Sequence, residues 1–198
     1  MTTVVMNRVI NDDDSVSIRV YSDTQVSLGV NDYRERIHKV HHGENYVLTV
    51  AGMSALTSTV QEFIESNPQI GDSVKERNEA FRELMRMANT DNVMRERHGK
   101  GPSSSILIGL HSGIWELSFN EITPMSDLSM GGTGSRYVRD LIRANEVIKH
   151  WNLDKGQDLP YLVRTAIHVD SQSDGYCYDE LNLSSTGKQL SYETTYKD

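Results

Sequence analysis

The sequence predicts an α+β fold of four layers: two antiparallel β-sheets face to face, with a pair of helices on each outer side. Three observations lead there. Short β-rich runs come in pairs around polar turns. Four segments carry apolar residues at helical spacing. The two kinds follow one another in blocks, as strands, two helices, strands, two helices, strand. Singly alternating strands and helices would point to a parallel sheet, whereas blocks point to antiparallel sheets with helices packed outside them. The 198 residues are enough for one substantial core, and no linker or internal repeat divides them, so residues 1–198 read as a single domain.

The elements are justified in chain order. Thr3–Val9 and Val16–Ser22 read as a hairpin around the polar turn Ile10–Ser15. Asp12-Asp13-Asp14 in that turn fits a solvated tip better than a metal site, because consecutive carboxylates on a turn point apart and no histidine or further acid stands at ligand spacing. Ile37–Val40 and Tyr46–Val50 read as a second pair, turning at His42-Gly43-Glu44-Asn45, and Gly52 ends the strand. Leu56, Val60, Phe63 and Ile64 recur at helical spacing until Asn67-Pro68 and Gly71 break the pattern. A longer helix is expected from about Asp72 to about Arg97, with Asp72 or Ser73 as N-cap and Val74, Phe81, Leu84, Met85 and Ala88 as its apolar stripe. Gly99–Ser103 reads as a loop. Ile106–Leu110 and Ile114–Phe119 pair across His111-Ser112-Gly113, and a short strand precedes Gly131. A third helix starts near Ser135, with Val138, Leu141, Ile142 and Ile148 on one face. Asp158 caps a fourth, whose stripe is Leu159, Leu162, Val163, Ala166 and Ile167, with Pro160 suited to a first turn. Tyr176–Leu183 reads as a strand, and Ser184–Asp198 as a polar tail.

Composition excludes several classes of function. The hydrophobic share is 37% and the mean hydropathy −0.51, as in a soluble protein. The longest apolar runs are strand-sized, so no membrane span is expected, and no signal peptide is read at the N-terminus. The single cysteine, Cys177, excludes an intrachain disulfide and fits a reducing compartment, so a cytoplasmic location is expected. A net charge of −8 without a dense Lys/Arg cluster argues against a nucleic-acid partner.

Chemistry is concentrated in a few segments. Thr2 stands directly behind Met1. Once the methionine is clipped, one residue carries both a nucleophilic Oγ and an α-amine of near-neutral pKa. Asp23, in Tyr21-Ser22-Asp23-Thr24-Gln25, is an acid at a strand end. Lys39 sits in an apolar strand, Gly52 lies between strand and helix, and Gly131-Gly132-Thr133-Gly134-Ser135 is a glycine-rich turn into a helix. Asp170-Ser171-Gln172-Ser173-Asp174-Gly175 joins the last helix to the last strand. Each also fits a plain structural role: a turn start, an outward strand lysine, a helix N-cap or phosphate nest, a helix stop. A dinucleotide site is a poor fit to Gly132-Thr133-Gly134, which lacks the third glycine and the βαβ context.

In this order and spacing, the segments resemble the N-terminal-nucleophile threonine peptidases: proteasome β subunits and, most closely, the bacterial HslV peptidase. The resemblance rests on Met1-Thr2-Thr3; on Ser22-Asp23-Thr24-Gln25-Val26-Ser27-Leu28-Gly29; on Lys39-Val40, Ala51-Gly52 and Gly132-Thr133-Gly134; and on Asp170 to Gly175. It spans Thr2 to about Leu183. Thr133 stands where the family usually has serine, Asp174 departs from its Ser-Gly-Gly pattern, Met53 follows Gly52 where many members have a small residue, and the Ile10–Ser15 hairpin is longer than in typical HslV chains.

The resemblance implies an N-terminal-nucleophile-hydrolase fold and a threonine-type endopeptidase, a subunit of a self-compartmentalising ring. By position, Thr2 Oγ would attack the peptide carbonyl, Lys39 would stabilise and exchange its proton, and Asp23 would hold the Lys39 ammonium. The Gly52 N–H would donate to the oxyanion, an interaction often worth about 3 kcal/mol. Thr133, Asp170 and Ser173 would fix the Thr2 amine, which passes the proton to the leaving group. No cofactor and no metal is implied. A homo-oligomeric ring, an ATP-dependent unfoldase and unfolded polypeptide substrate are. The mechanism requires removal of Met1, since otherwise the Thr2 nitrogen is an amide. An inactive structural ring subunit and an amidohydrolase acting on a small amide are the alternatives.

Overall fold

The computed structural model describes residues 3–28, 33–52, 56–90, 104–118, 121–150, 158–170 and 174–197. Its chain order is β1 (Val4–Ile10), β2 (Val16–Ser22), β3 (Gln25–Leu28), β4 (Tyr33–Arg36), β5 (Val40–His42), β6 (Tyr46–Ala51), α1 (Leu56–Ser66), α2 (Val74–Thr90), β7 (Ser105–Leu110), β8 (Gly113–Ser118), β9 (Glu121–Met125), β10 (Leu128–Gly131), α3 (Ser135–His150), α4 (Leu159–Val169), β11 (Tyr176–Leu183) and β12 (Gln189–Lys197). One five-stranded sheet runs β10-β1-β2-β11-β12 and the other β5-β6-β7-β8-β9, with β3-β4 as a separate ribbon. Every pairing is antiparallel.

Side-chain alternation explains the layering. Along β1, Val4 and Met6 point into a cluster with Ile18, Val20, Val47, Leu107 and Leu181, which fills the space between the sheets. Val5, between them in sequence, points the other way, against Val138 of α3 and Val163 and Ala166 of α4. The second sheet behaves alike: Val47 and Leu107 face inward, while Leu48, Ile106 and Ile108 meet Phe63 of α1 and Phe81 and Leu84 of α2. A period of two thus gives each sheet two apolar faces, and both must be covered. The result is the four-layer αββα sandwich that the block order predicts.

Helix ends follow local chemistry. Ser73 caps α2: its hydroxyl accepts from the Glu76 N–H at 3.2 Å and donates to the Glu76 carboxylate at 2.7 Å. Asp158 caps α4, accepting from the Tyr161 N–H at 3.1 Å, with Pro160 in the first turn. The Asp12–Asp14 tip is exposed, and Asp14 takes a positive φ of 62°.

Several expectations need correction. Val74 opens α2 but is 62% exposed, so it lies off the apolar stripe. The strand expected from Ile37 begins only at Val40, because the Ile37 N–H bonds back to the Thr24 carbonyl at 2.7 Å rather than into the sheet. Leu141, Ile142 and Leu159 are half-buried at the margin of their cluster. The tail read as merely polar forms β12, and β3, β4 and β9 are further strands without an apolar signature. Residues 91–97 of the second expected helix, the Gly99–Ser103 loop, Phe119 and the Ile148 side chain lie outside the described residues.

Candidate active site

The site grows from the start of β1. Thr3 lies between the end of β2 and the turn into α3, because β1 is paired on both sides: Val4 stands opposite Ser22 of β2 and Gly131 of β10. The backbone of Thr3 grips Asp23 twice. Its N–H donates to Asp23 Oδ1 at 2.8 Å, and its carbonyl accepts from the Asp23 N–H at 3.0 Å. The other carboxylate oxygen, Oδ2, accepts from Lys39 Nζ at 2.8 Å. Asp23 has no exposed surface and Lys39 is 5% exposed, so this is a fully desolvated ion pair.

Burial is the largest influence on both groups. It pushes the Lys39 ammonium below the ordinary lysine range, opposed by the charge and hydrogen bond of Asp23. It pushes the Asp23 carboxyl above the ordinary range, opposed by Lys39 and by the Thr3 N–H. The lysine segment is itself pinned, since Thr49 Oγ1 donates to the Lys39 carbonyl at 2.9 Å.

Gly52 follows β6 with φ of 118°, a conformation that L side chains rarely adopt, and a β-carbon there would stand 2.8 Å from Ser104 Cα. The glycine turn comes within van der Waals contact of both neighbours. A β-carbon on Gly134 would lie 1.7 Å from Thr3 Oγ1, and one on Gly131 would lie 2.7 Å from Ala51 Cβ. Thr133, between them, donates from Oγ1 to Asp170 Oδ2 at 3.0 Å. Asp170 is buried at the C-cap of α4, where its own N–H donates to the Ala166 carbonyl at 2.9 Å.

The structure therefore links five of the expected residues, directly or through neighbours, to the Thr3–Val4 start of β1. Asp23 and Lys39 are reached through the Thr3 backbone, Thr133 and Asp170 through Gly134, and Gly52 through Gly131 and Ala51. Thr2 and Ser173 lie outside the described residues. The segments flanking both are anchored: Thr3 by Asp23, and Asp174 by the Thr24 N–H, which donates to its carbonyl at 3.0 Å. The sequence reading omitted Thr3, whose backbone orients the acid, and Thr49, which holds the lysine backbone. Neither carries a motif, because a clamp made by main-chain groups leaves almost no mark on residue type.

No protein-family model matches the chain, and no curated protein matches it. Solved structures do. HslV from Trypanosoma brucei is 19% identical, with 92% of this chain and 99% of that chain covered and a TM-score of 0.58. Anbu, described as an ancestral beta-subunit, from Yersinia bercovieri is 14% identical over 99% of this chain and 88% of its own, with a TM-score of 0.66. BPH from Thiobacillus denitrificans, solved in complex with epoxomicin, is 15% identical over 99% and 98%, with a TM-score of 0.56. At these identities the likeness is one of fold: the αββα sandwich of HslV and Anbu.

Proposed function

We propose that this chain is a threonine-type endopeptidase subunit whose nucleophile is Thr2 after removal of Met1. The observation that carries the reading is the buried Thr3–Asp23–Lys39 clamp. Through Asp23 it links a desolvated lysine to the backbone of Thr3, the residue that follows Thr2 in sequence. An ordinary structural lysine would leave its ammonium in water; this one is held where its charge costs most, as a proton-exchanging group requires.

In this mechanism, Thr2 Oγ attacks the peptide carbonyl while its proton passes to Lys39. The Gly52 N–H donates to the oxyanion that forms. The proton reaches the leaving amine through the Thr2 α-amine, which Thr133, Asp170 and Ser173 hold in place. Water then releases the acyl group from Thr2 Oγ. The glycine at 52 suits the oxyanion role, since its positive φ turns the backbone sharply at the end of β6. The fold shared with HslV and Anbu supports a single-domain subunit of a homo-oligomeric ring in the cytoplasm. There an ATP-dependent unfoldase would supply unfolded polypeptide, with neither nucleic acid nor membrane as a partner.

The test is hydrolysis by wild type and Thr2→Ala of unstructured peptides and of small amides, in parallel. The expected result is peptide cleavage by wild type that Thr2→Ala abolishes. Cleavage of small amides alone would replace the endopeptidase with an amidohydrolase. No turnover of either by protein lacking Met1 would favour a structural subunit.

A further inference from the structure

One corner of the space between the sheets carries a buried polar cluster. Where β5 lies over β11 and β12, the inward faces carry Cys177, Asp179, Tyr192 and Thr194 from one sheet, and His38 approaches from the segment before β5. Asp179 has no exposed surface. Its Oδ1 accepts from Tyr192 Oη at 2.7 Å, from Thr194 Oγ1 at 2.6 Å and from His38 Nε2 at 2.9 Å. Its Oδ2 faces Cys177 Sγ at 3.4 Å. The histidine nitrogen, the thiol sulfur and the carboxylate all lie within 4.8 Å of one another. None of these residues has a part in the proposed peptidase chemistry.

We propose that His38, Asp179 and Cys177 form a zinc-class metal site, with a water as fourth ligand. Three features of the corner support this. First, the separations are near those of a metal site: tetrahedral zinc with these donors spaces them about 3.3–3.7 Å apart, and the three atoms lie within 4.8 Å of one another. Second, the carboxylate is already oriented. Tyr192 and Thr194 donate to Oδ1, the kind of hydrogen bonding that fixes a ligating carboxylate. Third, the histidine is reachable from outside. His38 lines an open cavity of about 300 Å³ together with Arg36, Tyr176 and Tyr196. Beside them, the His41 ring stands 6.3 Å from His38, and its buried Nε2 has no hydrogen-bond partner among the described residues.

The chemistry balances without a redox step. On binding, the Cys177 S–H bond breaks, its electron pair becomes the metal–sulfur bond, and the proton leaves to buffer. Thiolate and carboxylate together neutralise the dication. Without metal, burial and the adjacent Asp179 charge keep the thiol protonated; the ion's own charge reverses that balance. A sulfur, nitrogen and oxygen set favours zinc over magnesium or calcium. Because His38 adjoins Lys39 in sequence, an ion here would tie the lysine segment to the opposite sheet.

The test is optical titration of chelator-treated full-length protein with Co²⁺. The expected result is one equivalent bound, with a thiolate-to-cobalt charge-transfer band and visible bands of four-coordinate intensity, both bleached by Zn²⁺ and unaffected by Mg²⁺. Cys177→Ser should lose the charge-transfer band. Asp179→Asn and His38→Gln should bind at least tenfold more weakly, and Thr194→Val about 10–100-fold more weakly. Circular dichroism of each metal-free variant checks its fold. Absence of the band in wild type overturns the site without recourse to any variant, and so does a band that survives in a folded Cys177→Ser protein.

Discussion

Both carboxylate oxygens of Asp23 are committed, one to the Thr3 N–H and one to Lys39 Nζ, in a place with no solvent. Removing the charge should therefore cost far more than a surface ion pair would. Asp23→Asn strands a buried ammonium and should lower unfolding free energy by about 3–5 kcal/mol, measured by chemical denaturation. The double variant Asp23→Asn/Lys39→Met should recover part of that loss, because no charge is then left without its partner. Lys39 itself yields a pH prediction. Burial disfavours its ammonium, so its pKa in the folded protein lies below the ordinary value. The neutral amine that can accept the Thr2 proton grows as pH rises through that lowered value. Acylation should thus accelerate with pH and level off before the ordinary lysine range near ~10.4. Lys39→Arg keeps the charge but cannot give up its proton, so it should lose that limb of the profile and slow acylation roughly 10²–10⁴-fold. A single-turnover pH series on both proteins reads this out. At this scale the sequence was informative where a candidate is marked by its residue type. Asp23, Lys39, Gly52, Thr133 and Asp170 could be singled out as candidates, whereas Thr3 meets Asp23 through its backbone and could not.

The elements hold these residues by their ends. Asp23 follows β2, Lys39 precedes β5, Gly52 follows β6, Thr133 precedes α3 and Asp170 caps α4. Stability of α4 therefore bears on the site only at its C-terminal end, and its N-cap can be weakened separately. Asp158→Ala removes the acceptor for the Tyr161 N–H and should cost about 0.5–2 kcal/mol. Thermal denaturation should show that loss while peptide turnover at a permissive temperature stays at the wild-type level. Elements with a strong period were legible from sequence. The α1 stripe of Leu56, Val60 and Phe63 and the Asp158 cap of α4 both follow from residue type and spacing. Elements stabilised by their neighbours were not. β12 has Tyr192 half-buried among exposed Leu190, Glu193 and Thr194, and β9 carries Pro124 at a sheet edge, so neither shows an apolar alternation. Their strand character comes from pairing with β11 and β8, which local sequence does not record.

On the scale of the whole molecule, the block order of the elements was enough to anticipate two sheets between helix pairs, because each apolar face needs a cover. It could not anticipate the polar corner, because His38 is far in sequence from Cys177 and Asp179, which sit at i and i+2 on β11. Assembly is the second property at this scale. A ring-forming peptidase should elute as a closed homo-oligomer many times the 22.4 kDa of one chain. Light scattering on material matured in its native host should find the peptidase activity in that species and not in the monomer. The most direct test of the central claim is intact-mass spectrometry after incubation with epoxomicin, an epoxyketone. The expected result is a chain lacking Met1 and carrying one inhibitor, with the adduct on Thr2 and none on Thr2→Ala. A wild-type chain that retains Met1, or equal labelling of wild type and Thr2→Ala, would contradict it.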